Sequence, residues 1–129
     1  MIFAISSTQN TELKQIESTQ TKQTSSALEP EIEPDIVMPT KVSRPGCEEI
    51  DHCYVPSNIV IKKGESVVWQ NQDAAFHSVT SGFYDSPSGL FDSGYLDPYQ
   101  LFTFNFQETG TYHYFCTLHP WMEGQVIVE

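Results

Sequence analysis

Within seven residues the chain places a thiolate, an imidazole and a thioether: Cys116, His119 and Met122, in the run Cys-Thr-Leu-His-Pro-Trp-Met. A second imidazole, His77, lies 39 positions upstream. Imidazole suits copper in either oxidation state, while thiolate and thioether favour Cu(I). Two His, one Cys and a weak axial Met can hold one copper ion through a one-electron change. Each residue also has an ordinary reading. Met122 and Trp121 are acceptable core residues, Cys116 a small buried hydrophobe, and His77 after Phe76 a hydrogen-bonded core histidine. The fixed offsets Cys-x2-His-x2-Met, with a separate His in a β-rich chain, favour the ligands.

A metal site needs donors that converge. Cys116 ends an alternating run, Gly110-Thr-Tyr-His-Tyr-Phe-Cys116, that reads as a strand. A short turn then returns His119 toward the sulfur. Pro120 stiffens that turn by fixing φ and removing a donor. Met122 follows, and His77 comes from a neighbouring strand-like segment. On the copper strand Tyr112, Tyr114 and Cys116 share a face. His113 lies on the opposite one and reads as a surface residue, as does His52.

These residues resemble the cupredoxins, the small blue copper proteins that include plastocyanin, amicyanin and pseudoazurin. The ligand loop Cys116–Met122 has the short amicyanin-like spacing. Val67-Val-Trp-Gln-Asn71, leading to Phe76-His77-Ser78-Val79, is similar to the strand and loop that carry the first His ligand. The resemblance runs from about Pro34 to the C-terminus. It implies an all-β, eight-stranded Greek-key β-sandwich with one type 1 copper held by His77, Cys116, His119 and Met122. It implies one-electron transfer between redox proteins, not enzymatic turnover. It makes His119 the electron port, ringed by Leu118, Pro120 and Trp121 as an apolar docking patch.

Ser78 and Thr117 adjoin ligands and are placed to support them. Ser78 stands where many members have Asn, and Leu118 where many have Pro. If Met122 swings away, the axial position opens. The first alternative function is therefore a copper site that binds or oxidises or reduces a small molecule such as a nitrogen oxide. The second is copper binding and delivery. A trinuclear oxidase is disfavoured because Phe115 and Thr117, not His, flank Cys116 and the chain has no His-x-His. One Cys in the loop also disfavours a binuclear centre.

The 129 residues suit one domain, with a Ser/Thr/Gln/Glu-rich tail over 1–33 and the folded domain over 34–129. The tail reads as disordered, either a tether or a tail with no specific role, with an amphipathic helix over 12–21 as the lesser option. Net charge is −11. Six acids and two lysines through Thr40 contribute −4, and eleven acids against four cations beyond it contribute −7. That balance opposes nucleic acid and anionic membranes and suits a redox partner with a basic docking surface.

The three cysteines leave one unpaired. Cys47 and Cys53 can close a disulfide around Glu-Glu-Ile-Asp-His. The rival is zinc on Cys47, Cys53, Cys116 and His119, which the five-residue gap and the idle Met122 and His77 disfavour. A disulfide implies an extracytoplasmic location, periplasmic, pseudoperiplasmic or at the cell surface. Met1–Ile5 is too short for a signal segment, so membrane contact is expected only through an anchor lost with it.

Strands are expected over 35–38, 58–62, 65–71, 101–106, 110–116 and 125–129. Trp69 reads as core, and Phe102, Phe104 and Phe106 share a core face. The stretch 81–100 reads as a long, repeatedly turning loop whose seven apolar residues cover the sandwich or wall the copper site.

Overall fold

The computed structural model describes residues 32–129. The tail expected over 1–33, and the helix considered over 12–21, lie outside the described residues apart from positions 32 and 33. Residues 34–129 form one compact unit.

Among the described residues eight strands build two sheets: β1 (Ile36–Met38), β2 (Asn58–Ile61), β3 (Ser66–Asn71), β4 (Thr80–Phe83), β5 (Ser86–Asp92), β6 (Leu101–Asn105), β7 (Gly110–Phe115) and β8 (Glu123–Val128). The smaller sheet has the order β1-β3-β6 and the larger β2-β8-β7-β4-β5. This is the expected Greek-key β-sandwich. β1 pairs with β3, and β2 with β8, in parallel; the other pairings are antiparallel.

Period-2 alternation decides which faces meet. Val67 and Trp69 turn inward from β3 and are fully buried, while Val68 and Gln70 remain partly exposed. Trp69 packs on Phe102 of its own sheet at 5.7 Å between ring centroids. It reaches Phe91 at 5.9 Å and Tyr114 at 5.4 Å in the other sheet. Phe106 is buried, with Phe102 and Phe104 packed against the core. Tyr114 inserts edge-on against Tyr54 at 4.7 Å. Gly124 opposes Tyr114 across β7 and β8, and a Cβ there would lie within 3 Å of the phenol ring.

The expectation of a loop over 81–100 is corrected. Most of it forms the β4–β5 hairpin. Pro87 and Gly89 disguise β5 in the sequence, but β5 is a sheet edge, where an absent donor or side chain does little harm. Gly82 has a positive φ at the register shift, and a Cβ there would strike the backbone of residues 86–88. Of the seven apolar residues only Phe91 and Leu96 are buried.

Candidate metal centre

His77 lies in the connection between β3 and β4, and Cys116 directly follows β7. Local hydrogen bonds shape the first connection. Asn71 Nδ2 donates to the carbonyls of Ala75 and Leu96 at 2.8 and 2.9 Å, and Asn71 Oδ1 accepts the Asp73 N–H. His77 and Leu96 form a short antiparallel bridge. In the ligand loop the Met122 N–H donates to His119 O at 2.9 Å, and the Cys116 N–H to Met122 O at 3.2 Å. These bonds fold Cys116–Met122 into a closed turn, as Pro120 suggested.

Three donor atoms converge at this end of the sandwich. Cys116 Sγ lies 3.8 Å from His77 Nδ1 and 3.6 Å from His119 Nδ1, and the two Nδ1 atoms are 3.1 Å apart. Donors about 2.0–2.3 Å from one central ion stand about 3.5–3.8 Å from each other in a trigonal plane, so the set fits a metal with a modest opening. One sulfur and two imidazole nitrogens match the planar donors of a blue copper site. Met122 is fully buried on the same loop. The structure thus brings His77, Cys116 and His119 together and keeps Met122 beside them in sequence and burial.

Electrostatics prepare the donors. Burial opposes a Cys116 thiolate. The His77 imidazole and the N–H groups of Ser78, Leu118 and His119 outweigh it and hold the thiol below its ordinary range. Burial likewise disfavours charged His77, yet its bonds to Cys116 and Asp73 raise its proton affinity. Burial and the neighbouring His77 both lower that of His119.

Asp73 was not singled out in the sequence, though it lies four residues before His77. Its Oδ2 sits 2.7 Å from His77 Nε2, and its Oδ1 accepts the N–H groups of Lys41 and Ala74, each at 2.9 Å. Burial pushes its carboxyl up, but these hydrogen bonds prevail and hold it below the usual carboxylate range. A carboxylate on the outer nitrogen fixes the ring so that Nδ1 faces the centre, a common arrangement at metal-binding histidines.

Ser78 is hydrogen-bonded to the ligand loop. Its N–H points at Cys116 Sγ at 3.3 Å, and its Oγ accepts the Thr117 N–H at 2.9 Å. The Tyr54 hydroxyl donates to Ser78 O at 2.7 Å. Leu118 is exposed, while His119, Pro120 and Trp121 are half-buried. The Trp121 ring lies 5.4 Å from that of His119, and its Nε1–H donates to Val42 O at 3.1 Å. Phe76, next to His77, is also exposed and extends the apolar surface.

Cys47 and Cys53 are joined in a disulfide, their Cα atoms 5.0 Å apart. The zinc alternative is thereby overturned, because neither thiol is available and Cys116 stands apart from them. His52 is exposed and bonds Ile50 O, and His113 is exposed with its ring against Phe83 at 4.6 Å.

Comparison with known proteins agrees with this geometry. A family model described as copper binding proteins, plastocyanin/azurin family, matches residues 44–129. An amicyanin from Paracoccus versutus is 37% identical over 76 residues, covering 59% of this chain. The chain spans only 58% of that relative's length. A plastocyanin from Scenedesmus fuscus is 33% identical over 84 residues, covering 59% of this chain and 86% of its own. A purple cupredoxin from Nitrosopumilus maritimus superposes with a TM-score of 0.66 at 32% identity, covering 73% of this chain and 97% of that one.

Proposed function

Since the chain belongs to the plastocyanin/azurin family of copper-binding proteins, we propose that it is a one-electron carrier. In this reading His77 Nδ1, Cys116 Sγ, His119 Nδ1 and the Met122 thioether would hold the copper ion. Copper, when bound, supplies the one-electron couple. The chain's own contribution is rigidity. Asp73 locks the His77 ring, the Ser78 N–H holds the sulfur, and the closed turn Cys116–Met122 fixes His119. Donors that cannot move suit both oxidation states and keep rearrangement small.

The observation that carries the proposal is the convergence of one buried sulfur and two ring nitrogens within 3.8 Å of one another. The visible and electron-spin resonance spectra of the copper-loaded protein test it. An intense thiolate-to-copper band, lost in Cys116→Ser, is expected; a colourless loaded protein overturns it.

His119 serves as the electron port in this proposal, with Leu118, Pro120 and Trp121 as the apolar contact around it. Such a patch suits a small, transient interface. Glu48, Asp51 and Glu123 share a hollow with Trp121, which favours a basic redox partner. Electron transfer with a cationic cytochrome is expected to slow as salt rises, and a rate indifferent to salt refutes that preference. The disulfide supports an extracytoplasmic site of action. Among the described residues no helix is long and apolar enough to cross a membrane. We place the carrier domain at 34–129.

A further inference from the structure

A chain of hydroxyls leads from the ligand loop to a surface carboxylate on the neighbouring hairpin. Thr117 Oγ1 lies 3.2 Å from Ser78 Oγ, Ser78 Oγ 2.9 Å from Thr80 Oγ1, and Thr80 Oγ1 3.1 Å from Asp92 Oδ1. Ser78 and Thr80 are buried, whereas Asp92 is exposed. The strands explain the alignment. β4 lies between β5 and β7, and Thr80 pairs with Asp92 on one side and Phe115 on the other. Thr117 lies two residues beyond Phe115.

The acceptor at the far end gives the chain one direction. A hydroxyl has one proton and two lone pairs. An ionised carboxylate only accepts, so Thr80 spends its proton on Asp92. The proton between Ser78 and Thr80 must then be the serine's. With that proton committed, Ser78 Oγ can only accept from the ligand loop. Two donors meet it there: the Thr117 N–H at 2.9 Å and the Thr117 hydroxyl. Every proton and both serine lone pairs are used.

We propose that Asp92 is a positioning residue for the copper ligand loop, acting through Thr80 and Ser78 to hold Thr117, and with it Cys116, in place. The inference rests on the copper reading above for its consequence, but the hydroxyl chain is a property of the protein itself. Without an acceptor at position 92, Thr80 can turn its proton toward Ser78. Each hydroxyl then has two orientations. The serine loses its fixed acceptor role, and the mutual polarisation of the bonds is lost. Asp92 Oδ1 also accepts the Gly94 N–H at 3.0 Å, so the test must separate the chain from that turn.

Four variants do so: Asp92→Ala, Thr80→Val, Asp92→Asn and Thr80→Ser. Thr80→Val breaks the chain and leaves the Gly94 bond in place. Asn keeps an acceptor oxygen at 92, and Ser keeps the hydroxyl at 80. Amide exchange of Thr117 is read in the metal-free protein, and the copper hyperfine splitting and midpoint potential in the loaded one. Asp92→Ala and Thr80→Val are expected to speed Thr117 exchange roughly two- to tenfold and to displace both copper signals. Asp92→Asn and Thr80→Ser are expected to restore all three.

A folded Asp92→Ala protein with unchanged exchange and spectrum overturns the proposal. So does a response to Asp92→Ala that a folded Thr80→Val protein does not share, since the Gly94 turn alone would explain it. Should Thr80→Val not fold, the contrast between Asp92→Ala and Asp92→Asn decides. A wild-type protein that takes up no copper sinks the carrier reading, and Thr117 exchange still judges the hydroxyl chain.

Discussion

Asp73 marks the difference between having a ligand and having a ligand aimed. His77 has no exposed surface, and its outer nitrogen meets a carboxylate whose other oxygen is saturated by two backbone N–H groups. Removing it frees the ring to turn and leaves those amides without their acceptor. Asp73→Ala is expected to weaken copper binding about 10–100-fold, measured by competition with a chelator. Wild-type affinity in a folded variant would show that packing alone orients the ring. Met122 poses a different question because its proposed contribution is electronic. Met122→Leu is close to volume-conserving and should cost less than about 1.5 kcal/mol of stability. Losing a soft donor that favours Cu(I) pulls the potential down, whereas losing a donor that also binds Cu(II) raises it. The axial reading, with the larger loss on the Cu(II) side, expects a rise. An unchanged spectrum and potential would make the thioether a bystander.

At the level of elements, the site is held by strands that were shaped for packing. β7 delivers Cys116 while Tyr114, two residues earlier on the same face, fills the space between the sheets. That filling requires Gly124 on β8, where a Cβ would collide with the Tyr114 Cζ and Oη atoms. Tyr114 has little room to yield, since Tyr54 and Trp69 meet it edge-on at 4.7 and 5.4 Å. Gly124→Ala is therefore expected to destabilise the fold by about 1–3 kcal/mol in denaturant titration. A loss below about 0.5 kcal/mol would mean that the two strands separate without strain. The segment from Val42 to the disulfide acts on the other side. It meets the ligand loop where Trp121 donates to Val42 O, joining the indole beside His119 to a segment outside both sheets.

For the molecule as a whole, the core contains polar groups with a visible signature. Tyr54 and Tyr114 are fully buried. Burial raises the proton affinity of both phenols, and for Tyr54 the nearby Cys116 adds to it. The sign follows from linkage. The unfolded chain loses these protons near pH 10, while the folded one retains them. Their stabilising contribution is thus complete below about pH 10 and declines as pH rises beyond it. Two of the six tyrosines are expected to ionise only as the protein unfolds, followed by ultraviolet absorbance together with circular dichroism. Ionisation of all six while the β signal persists would contradict it.

Much of this protein is written locally. The alternation of Leu101–Phe106 and Gly110–Cys116, the inward Trp69 and the spacing Cys-x2-His-x2-Met each depend on neighbours in the chain. For the same reason a side-chain period of two and a Pro-stiffened turn were readable directly. The β4–β5 hairpin was not, because Pro87 and Gly89 are tolerable only at a sheet edge, and which strand lies at the edge is a property of the assembled sheet. Ser78 was legible as a departure from an Asn-bearing family, but its bonds to Thr117 and Thr80 required β4 to lie against β7. Asp73 was hidden among seventeen acids until the loop folded its carboxylate onto His77. The residue types determined which metal could be held. Only the packing of two sheets decided which oxygens and amide groups would hold those ligands still, because hydrogen bonds between distant segments exist only once the chain has brought them within about 3 Å.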